Sequence, residues 1–278
     1  MELIERVEKR STVGEWLKTL DGLLRGDITR PSALRRGTID VPLDGLAMMI
    51  LVLGLLYGLC MGSYAVSNVG KIGPQAYLQL IATTGKVPVL FVLTLLVTFP
   101  SLYVFNALVG SRLSLGAMLR LIVAALAVML AILASFGPIV AFFSVSTTSY
   151  QFMLLFNVAV FAVAGFLGLR FLLFTLHRLS VVQAEEMKKA EAAITPTDAG
   201  DNAAEPMGAL DHLEGTALGS NITTIFRIWI IVFGLVGAQM SWVLRPFIGE
   251  PSHAFTLFRL RESNFFEAVF HVIAAVLR

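Results

Sequence analysis

The stretch GLLYGLCMG at residues 54–62 places Gly54, Gly58 and Gly62 four residues apart in an otherwise apolar run. In water each glycine costs a helix about 1 kcal/mol relative to alanine, so the missing side chains must bring a compensating gain. Residues four apart share one helix face, and here they form a groove about two turns long that another helix can approach closely. The stretch therefore predicts a transmembrane helix that packs through its glycines.

The composition of the whole chain agrees with a lipid environment. Of 278 residues, 56% are hydrophobic and only 14% are charged, and the mean hydropathy is +0.79. Soluble domains usually carry about 25% charged residues. The net charge of +2 gives no indication of nucleic acid as a partner, and the single Cys60 excludes an intrachain disulfide. The partner that the composition predicts is the lipid bilayer.

Five segments are apolar and long enough to cross a bilayer, which takes roughly 20 helical residues. They run over 45–66, 87–109, 115–136, 150–173 and 224–244. None alternates in the manner of barrel strands, and a helix satisfies its own backbone in lipid. The predicted class is an all-α polytopic membrane protein with about five transmembrane helices and additional amphipathic interfacial helices.

The distribution of basic residues predicts the orientation. With the N-terminus inside, 15 of the 21 Lys and Arg residues fall on the inner side, the side that basic loops favour. We therefore expect a multi-pass protein of the inner, cytoplasmic membrane with a cytoplasmic N-terminus and an external C-terminus.

This orientation divides the chain into five parts. They are a cytoplasmic amphipathic region 1–44, a four-helix membrane region 45–178, a cytoplasmic acidic linker 179–222, a fifth transmembrane helix 223–244, and an outer segment 245–278 that ends in an amphipathic helix. Between the first two spans, QAYLQLIATT after Pro74 predicts a separate short helix on the outer surface, with Lys86 outside the membrane.

Two regions outside the spans offer apolar surface. A helix that contains Trp16 and ends at Gly26 could lie on the inner leaflet, dock on another protein or pack on inner loops of this chain. On the outer side, Phe247, Phe255 and Phe258 belong to a segment too apolar to remain solvated. Trp16 and these three phenylalanines are the candidate partner surface.

The spans lack the residues that most membrane chemistry requires. They contain no Asp or Glu, and the four histidines lie outside them. No HExxH, GxSxG or phosphate-binding glycine loop occurs. We expect no enzyme activity, and we assign no catalytic residues, cofactor-binding residues or metal ligands.

The candidate polar residues at membrane depth carry uncharged amide side chains. Asn106, Asn157 and Gln239 can either join helices through hydrogen bonds or line a substrate path. The glycine groove needs a partner with small residues, and the pairs Ala164 with Gly168 and Gly234 with Ala238 are the predicted partners within the chain. A second copy of the chain is the alternative.

Three stretches carry a resemblance to a known family. They are KVPVLFVLTLLVTFPSLYVFNALVGSRL at 86–113, FGPIVAFF at 136–143 and QMSWVLRPFIGEPSHAFTLFRLRESNFFEAV at 239–269. Together they resemble a family of uncharacterised bacterial multi-pass membrane proteins, whose automated labels sometimes read actin-binding domain. The layout of an inner N-terminus followed by five helices is also similar to the Yip family of membrane-trafficking proteins. That similarity implies a membrane-organising or adaptor role.

The leading expectation is a non-enzymatic membrane scaffold or a subunit of a larger assembly, with other membrane proteins or a second copy as partners. The alternative is a channel or carrier for an uncharged or lipidic substrate. A water-filled substrate path would line up one polar stripe over several helices, whereas a scaffold would not.

Overall fold

The computed structural model describes residues 14–27, 30, 43–108, 115–194, 227–250, 255–259 and 263–276. These residues are helical for the most part, and none of them forms a strand. The helices are α1 (14–24), α2 (Leu43–Ser67), α3 (Val69–Ile72), α4 (Ala76–Leu108), α5 (Leu115–Ser146), α6 (Tyr150–Ile194), α7 (Arg227–Val243) and α8 (Phe265–Val276). The prediction of an all-α polytopic membrane protein is confirmed.

Four helices are long and apolar enough to cross a bilayer. The spans are Leu43–Ser67, Ala76–Ser101, Gly116–Ser146 and Tyr150–Arg178. Large apolar side chains point outwards from them, including Ile81 at 69% exposure, Phe142 at 65% and Val145 at 72%. Such a surface is stable only against lipid. The described part of α7 is a shorter apolar helix of 17 residues, from Arg227 to Val243, and residues 223–226 lie outside the description.

The bundle is built around α5, the most buried of the four spans. Helix α2 packs against both α4 and α5, and α6 also packs against α5. Helix α7 joins α4, where the Trp229 indole N–H donates to the Thr98 carbonyl at 3.3 Å. Trp229 is fully buried, so α7 is an integral part of the bundle.

The glycine stripe (Gly54, Gly58 and Gly62) packs on α4. A Cβ added at Gly58 would lie 2.8 Å from both the Cα and the carbonyl oxygen of Thr84, and one at Gly54 would lie 3.0 Å from Pro88 Cβ. At Gly62 the nearest atom, 2.9 Å away, belongs to Leu80. The stripe therefore packs within the chain, against backbone and side chains spaced four residues apart on α4.

The choice of partner for the stripe was wrong. Gly168 of α6 instead approaches α5, since a Cβ added there would lie 2.8 Å from Met129 Cβ. Ala164, also on α6, is buried. An added Cβ at Gly234 would meet nothing within 4 Å. Close helix packing depends on how two faces match in space, and a small-residue pattern does not specify which of several helices supplies the matching face.

The separate short helix before the second span is also a wrong prediction. Residues 76–108 form the single helix α4, which continues through Gly85, Pro88 and Pro100. A break at these residues would expose several backbone groups that lipid cannot satisfy, whereas each proline removes only one hydrogen bond. As a result the second span begins near Ala76 and Lys86 lies inside it.

Two further boundaries differ from the predicted ones. Helix α5 continues to Ser146 instead of ending at residue 136. Helix α6 continues past the membrane to Ile194, so the linker does not begin at residue 179. The sequence VVQAEEMKKAEAAI consists mostly of strong helix formers, which explains the extension. The remainder of the predicted linker, 195–222, lies outside the described residues.

The N-terminal helix α1 packs on its own chain. Leu20 and Leu23 are buried in the core, and the Trp16 ring lies so close to α2 that a Cβ at Gly45 would be 2.7 Å from Trp16 Cδ1. Gly26 ends the helix with a φ of 75°, as predicted. Trp16 is therefore engaged within the chain, which corrects its assignment to a partner surface.

Candidate functional site

A cavity of about 590 Å³ lies between α4, α6 and α7. Residues 245–250 and 255–259, which we call the cap segment, close one end, and α8 closes one side. The volume is within the range of roughly 300–1,000 Å³ that is usual for ligand sites. No pattern in the sequence predicts this cavity.

The walls of the cavity are mainly apolar and aromatic. Phe91 of α4 stacks on Phe161 of α6 with ring centroids 6.0 Å apart, and both rings line the space. Gly165 of α6 and Gly234 of α7 both line the cavity, and an added Cβ at either position would meet nothing within 4 Å. The lining residue Phe166 is 65% exposed. The lining of the cavity therefore reaches the outer surface of the bundle at Phe166 of α6.

One polar group lies deep on the wall. Asn157 is buried, accepts a hydrogen bond from the Tyr57 hydroxyl at 2.9 Å, and donates to the Met153 carbonyl at 2.8 Å. Its amide thereby joins α6 to α2 while one side of the residue lines the cavity. The sequence left two roles open for Asn157, joining helices or lining a substrate path. The bond to Tyr57 supports the first role.

Tyr57→Phe tests the contribution of this bond. The change leaves the packed ring in place and removes only the donor to Asn157, so we expect a loss of about 0.5–1.5 kcal/mol in unfolding free energy. Thermal unfolding in mild detergent measures it, with Tyr103→Phe as the control because Tyr103 is exposed on α4. Equal melting temperatures for the two variants would show that the bond contributes nothing.

Gln239, another predicted lining residue, is not among the residues that line the cavity. Gln239 lies behind it, where its side-chain oxygen accepts a long hydrogen bond of 3.5 Å from the Phe265 amide. Gln239 therefore holds the start of α8. The side chain of Asn106 lies outside the described residues.

The closed end of the cavity carries its charges. Arg245, Glu250 and Arg259 line it, together with Tyr150 and Trp242. The Arg245 guanidinium lies 3.7 Å from the Trp242 ring centre, and Arg259 forms an ion pair with Glu250. The cavity is thus amphipathic, with an apolar body along the helices and a charged end at the cap segment.

The cap segment is held by one face of α4. Gln79 donates to the Pro246 and Phe247 carbonyls at 3.2 and 3.1 Å, and Thr83 donates to the Phe247 carbonyl. The Lys86 ammonium donates to the Pro246 carbonyl at 2.9 Å and also to the Leu257 carbonyl. These bonds satisfy backbone oxygens that no helix or strand would satisfy.

Sequence reasoning missed this polar face because it assigned residues 74–84 to a separate surface helix and left Lys86 outside the membrane. The available signal was the spacing of Gln75, Gln79, Thr83 and Lys86, which share one side of a continuous helix. The outermost member also takes part, since the Gln75 side-chain oxygen accepts a hydrogen bond from the Phe255 amide at 2.7 Å.

The predicted outer aromatics divide between packing and exposure. Phe247 packs against the core and lies 5.9 Å from the Lys86 ammonium, measured to the ring centre. Phe258 lies 5.2 Å from the same ammonium but keeps 55% of its surface exposed. The Phe255 backbone is fixed by Gln75, as described above.

The predicted C-terminal helix is present as α8. Its residues Phe265, Ala268, Val269 and Val272 line the cavity, at the spacing of one helix face. Phe266 and Phe270 lie elsewhere on the helix and are exposed. Helix α8 therefore covers the cavity with one apolar face and presents another outwards.

Comparisons of the chain with protein-family models, with curated proteins and with solved structures find no match. Within the described ranges, no group of three or more His, Cys, Asp or Glu side chains is arranged to hold a metal ion. The cavity itself is therefore the basis for a functional proposal.

Proposed function

We propose that this membrane protein binds and carries a lipid-like molecule, with the apolar chain of that molecule in the cavity between α4, α6 and α7. The observation that carries the proposal is the cavity's lining, which is apolar along the helices and charged at one end. The lining residue Phe166 is exposed on the surface of the bundle, and we infer that an apolar chain enters there from the surrounding lipid. A polar solute would find few hydrogen-bonding partners along such walls.

Transfer of an acyl chain from the bilayer into the cavity is close to neutral in free energy. An acyl chain loses little on leaving lipid for an apolar cavity and also gains little, because lipid solvates apolar groups well. The walls therefore admit a chain without selecting it strongly. Selectivity must come from the charged end, where hydrogen bonds and ion pairs differ between one headgroup and another.

The orientation and location are part of the proposal. The charge distribution supports a cytoplasmic N-terminus in a bacterial inner membrane. With that orientation the cap segment and the charged end of the cavity face outwards, and α1 lies at the cytoplasmic side. The proposed carrier role is non-catalytic and requires no cofactor.

A scaffold or subunit role is a second proposal, and exposed apolar surface near the cap supports it. Leu257 and Phe258 are more than half exposed, and Phe270 of α8 is 69% exposed. Another membrane protein or a second copy could cover these side chains. A Phe258→Ser/Phe270→Ser double variant that loses a stoichiometric partner in mild detergent would favour this role, and one without any change in particle mass would count against it.

Gly234→Leu tests the carrier proposal. The new side chain has open space around its Cβ and would extend into the cavity, so we expect a folded protein with a blocked opening. In vesicles that contain a photoactivatable fatty acid, labelling of α6 and α7 should fall at least fivefold.

Gly85→Leu is the matched control, because Gly85 also lies in a span, has open space at its Cβ and does not line the cavity. It should be labelled at the level of the unmodified protein. Equal labelling of the Gly234 and Gly85 variants would contradict an acyl-chain site between α6 and α7.

A further inference from the structure

We propose that the cavity selects an amphiphile with an anionic headgroup, a carboxylate or a phosphate, which Arg245 and Arg259 bind. This inference rests on the proposed function, since it assigns the headgroup of the molecule whose chain occupies the same cavity. It adds a substrate class and the residues that determine it.

Arg245 is oriented for this role by its stacking. Its guanidinium lies 3.7 Å from the centre of the Trp242 ring, and the Trp242 indole N–H donates to the Ser263 carbonyl at 2.6 Å. A guanidinium that stacks on a ring directs its N–H groups around its edge, the geometry with which arginine binds carboxylates and phosphates in bidentate fashion. The indole therefore fixes the plane in which Arg245 can receive an anion.

Arg259 is fixed by a different set of contacts. Its side chain pairs with Glu250, both side chains are about three-quarters buried, and its backbone amide donates to the Arg245 carbonyl at 3.3 Å. A guanidinium has five N–H donors, more than a single carboxylate uses. Arg259 can therefore hold Glu250 and a headgroup oxygen together, while its backbone keeps it beside Arg245.

The balance of charge at this end favours an anion. Among the residues that the structure describes, the cavity lining contains two arginines and one glutamate as its ionisable residues other than tyrosine. Lys86 adds a further positive charge just behind the lining, where its ammonium holds the Pro246 and Leu257 carbonyls. The Arg259 and Glu250 side chains are largely buried, so charges at this end are screened less than they would be on an open surface.

Two more groups fit the same headgroup. Tyr150 lines the charged end, and its hydroxyl can donate to an oxyanion. The cap segment is held in advance by Gln79, Thr83 and Lys86, so the arginines that it carries require little reorganisation on binding. A neutral headgroup would gain less from the two guanidinium groups, because hydrogen bonds to an ionised acceptor are stronger than those to a neutral one.

Matched probes test the headgroup separately from the chain. The protein is reconstituted in nanodiscs of neutral phosphatidylcholine with photoactivatable probes of one acyl chain, either as lysophosphatidic acid and monoacylglycerol or as fatty acid and fatty alcohol. Each pair differs in the anionic group alone. We expect the anionic member of at least one pair to label the cavity helices at least tenfold more than its neutral member, and the preferred pair identifies phosphate or carboxylate as the source.

Arg245→Gln should reduce that preference to about twofold or less while labelling by the neutral probe is unchanged. An Arg259→Gln/Glu250→Gln double variant removes the ion pair as a unit and should act in the same direction. Lys71→Gln is the control, because Lys71 is exposed in α3 and outside the cavity, and it should keep the full preference.

The possible failures are distinguishable. Equal labelling of the unmodified protein by charged and neutral probes would overturn the anionic headgroup and leave the carrier proposal standing. Absence of labelling by every probe would overturn both. A preference that persists in Arg245→Gln and in the double variant would overturn the assignment to these arginines, provided that neutral labelling and the melting temperature show that the variants are folded.

Discussion

Gly58→Leu is expected to disrupt the membrane bundle, with most of the protein lost from the folded, monodisperse fraction in mild detergent. A Cβ at this position would lie 2.8 Å from the Cα and the carbonyl oxygen of Thr84, and backbone atoms cannot rotate away as a side chain could. Helices α2 and α4 would have to separate along the glycine stripe. Overpacking of this kind costs about 1–3 kcal/mol or more, and the melting temperature and folded yield measure it.

Alanine substitutions at Gly58 and Gly85 form a matched pair, with different expected changes in melting temperature. Gly58→Ala should lower the melting temperature, since even a methyl group collides with Thr84. Gly85→Ala should leave the melting temperature unchanged or raise it, because its methyl group enters open space and alanine favours a helix by about 1 kcal/mol. If both alanine variants behave alike, the stripe is not a close-packed surface.

Lys86→Met is expected to release the cap segment. The ammonium donates to the Pro246 and Leu257 carbonyls, and methionine would leave both acceptors without that donor. Charged hydrogen bonds contribute about 1.5–3 kcal/mol each. The loss of about 3 kcal/mol corresponds to roughly a hundredfold faster opening of the segment. Trypsin cleavage after Arg259 in nanodiscs measures this rate.

Lys71→Met provides the comparison for the lysine change. Lys71 is exposed in α3 and lies on the same side of the bundle, so its loss should leave cleavage after Arg259 unchanged. Cleavage of Lys86→Met at the rate of the unmodified protein would show that Gln79 and Thr83 hold the cap segment without help from the lysine.

Several features follow directly from local sequence. A run of apolar residues long enough for a bilayer predicts a helix wherever it occurs, and the spans of α2 and α6 lie close to where hydropathy placed them. The span of α5 begins as predicted but continues to Ser146 instead of ending at residue 136. The end of α1 at Gly26 and the existence of α8 are local in the same sense, since a left-handed glycine and a 3.6-residue apolar period act within a few turns.

Other features depend on how neighbouring elements meet. The course of α4 through Gly85 and Pro88 conflicts with local signals for a break, because in lipid the alternative leaves backbone groups unsatisfied. The role of Lys86 then depends on this continuity, since only a continuous helix places it on one face with Gln79 and Thr83. No local pattern near Lys86 indicates which carbonyls it will meet in a segment some 160 residues later.

The sequence by itself determined that this protein lies in lipid, that it is helical and that it has a close-packed glycine face. Hydropathy, helical period and the absence of side chains are properties of each segment, so they can be recognised without knowledge of the fold. Tertiary structure alone decided that the stripe meets Leu80, Thr84 and Pro88, and that α6 and α7 leave a cavity where Gly165 and Gly234 could have packed. Lipid solvates apolar faces almost equally well, so the pairing of helices is decided by small differences in shape complementarity, and a cavity exists only as the space between helices already placed.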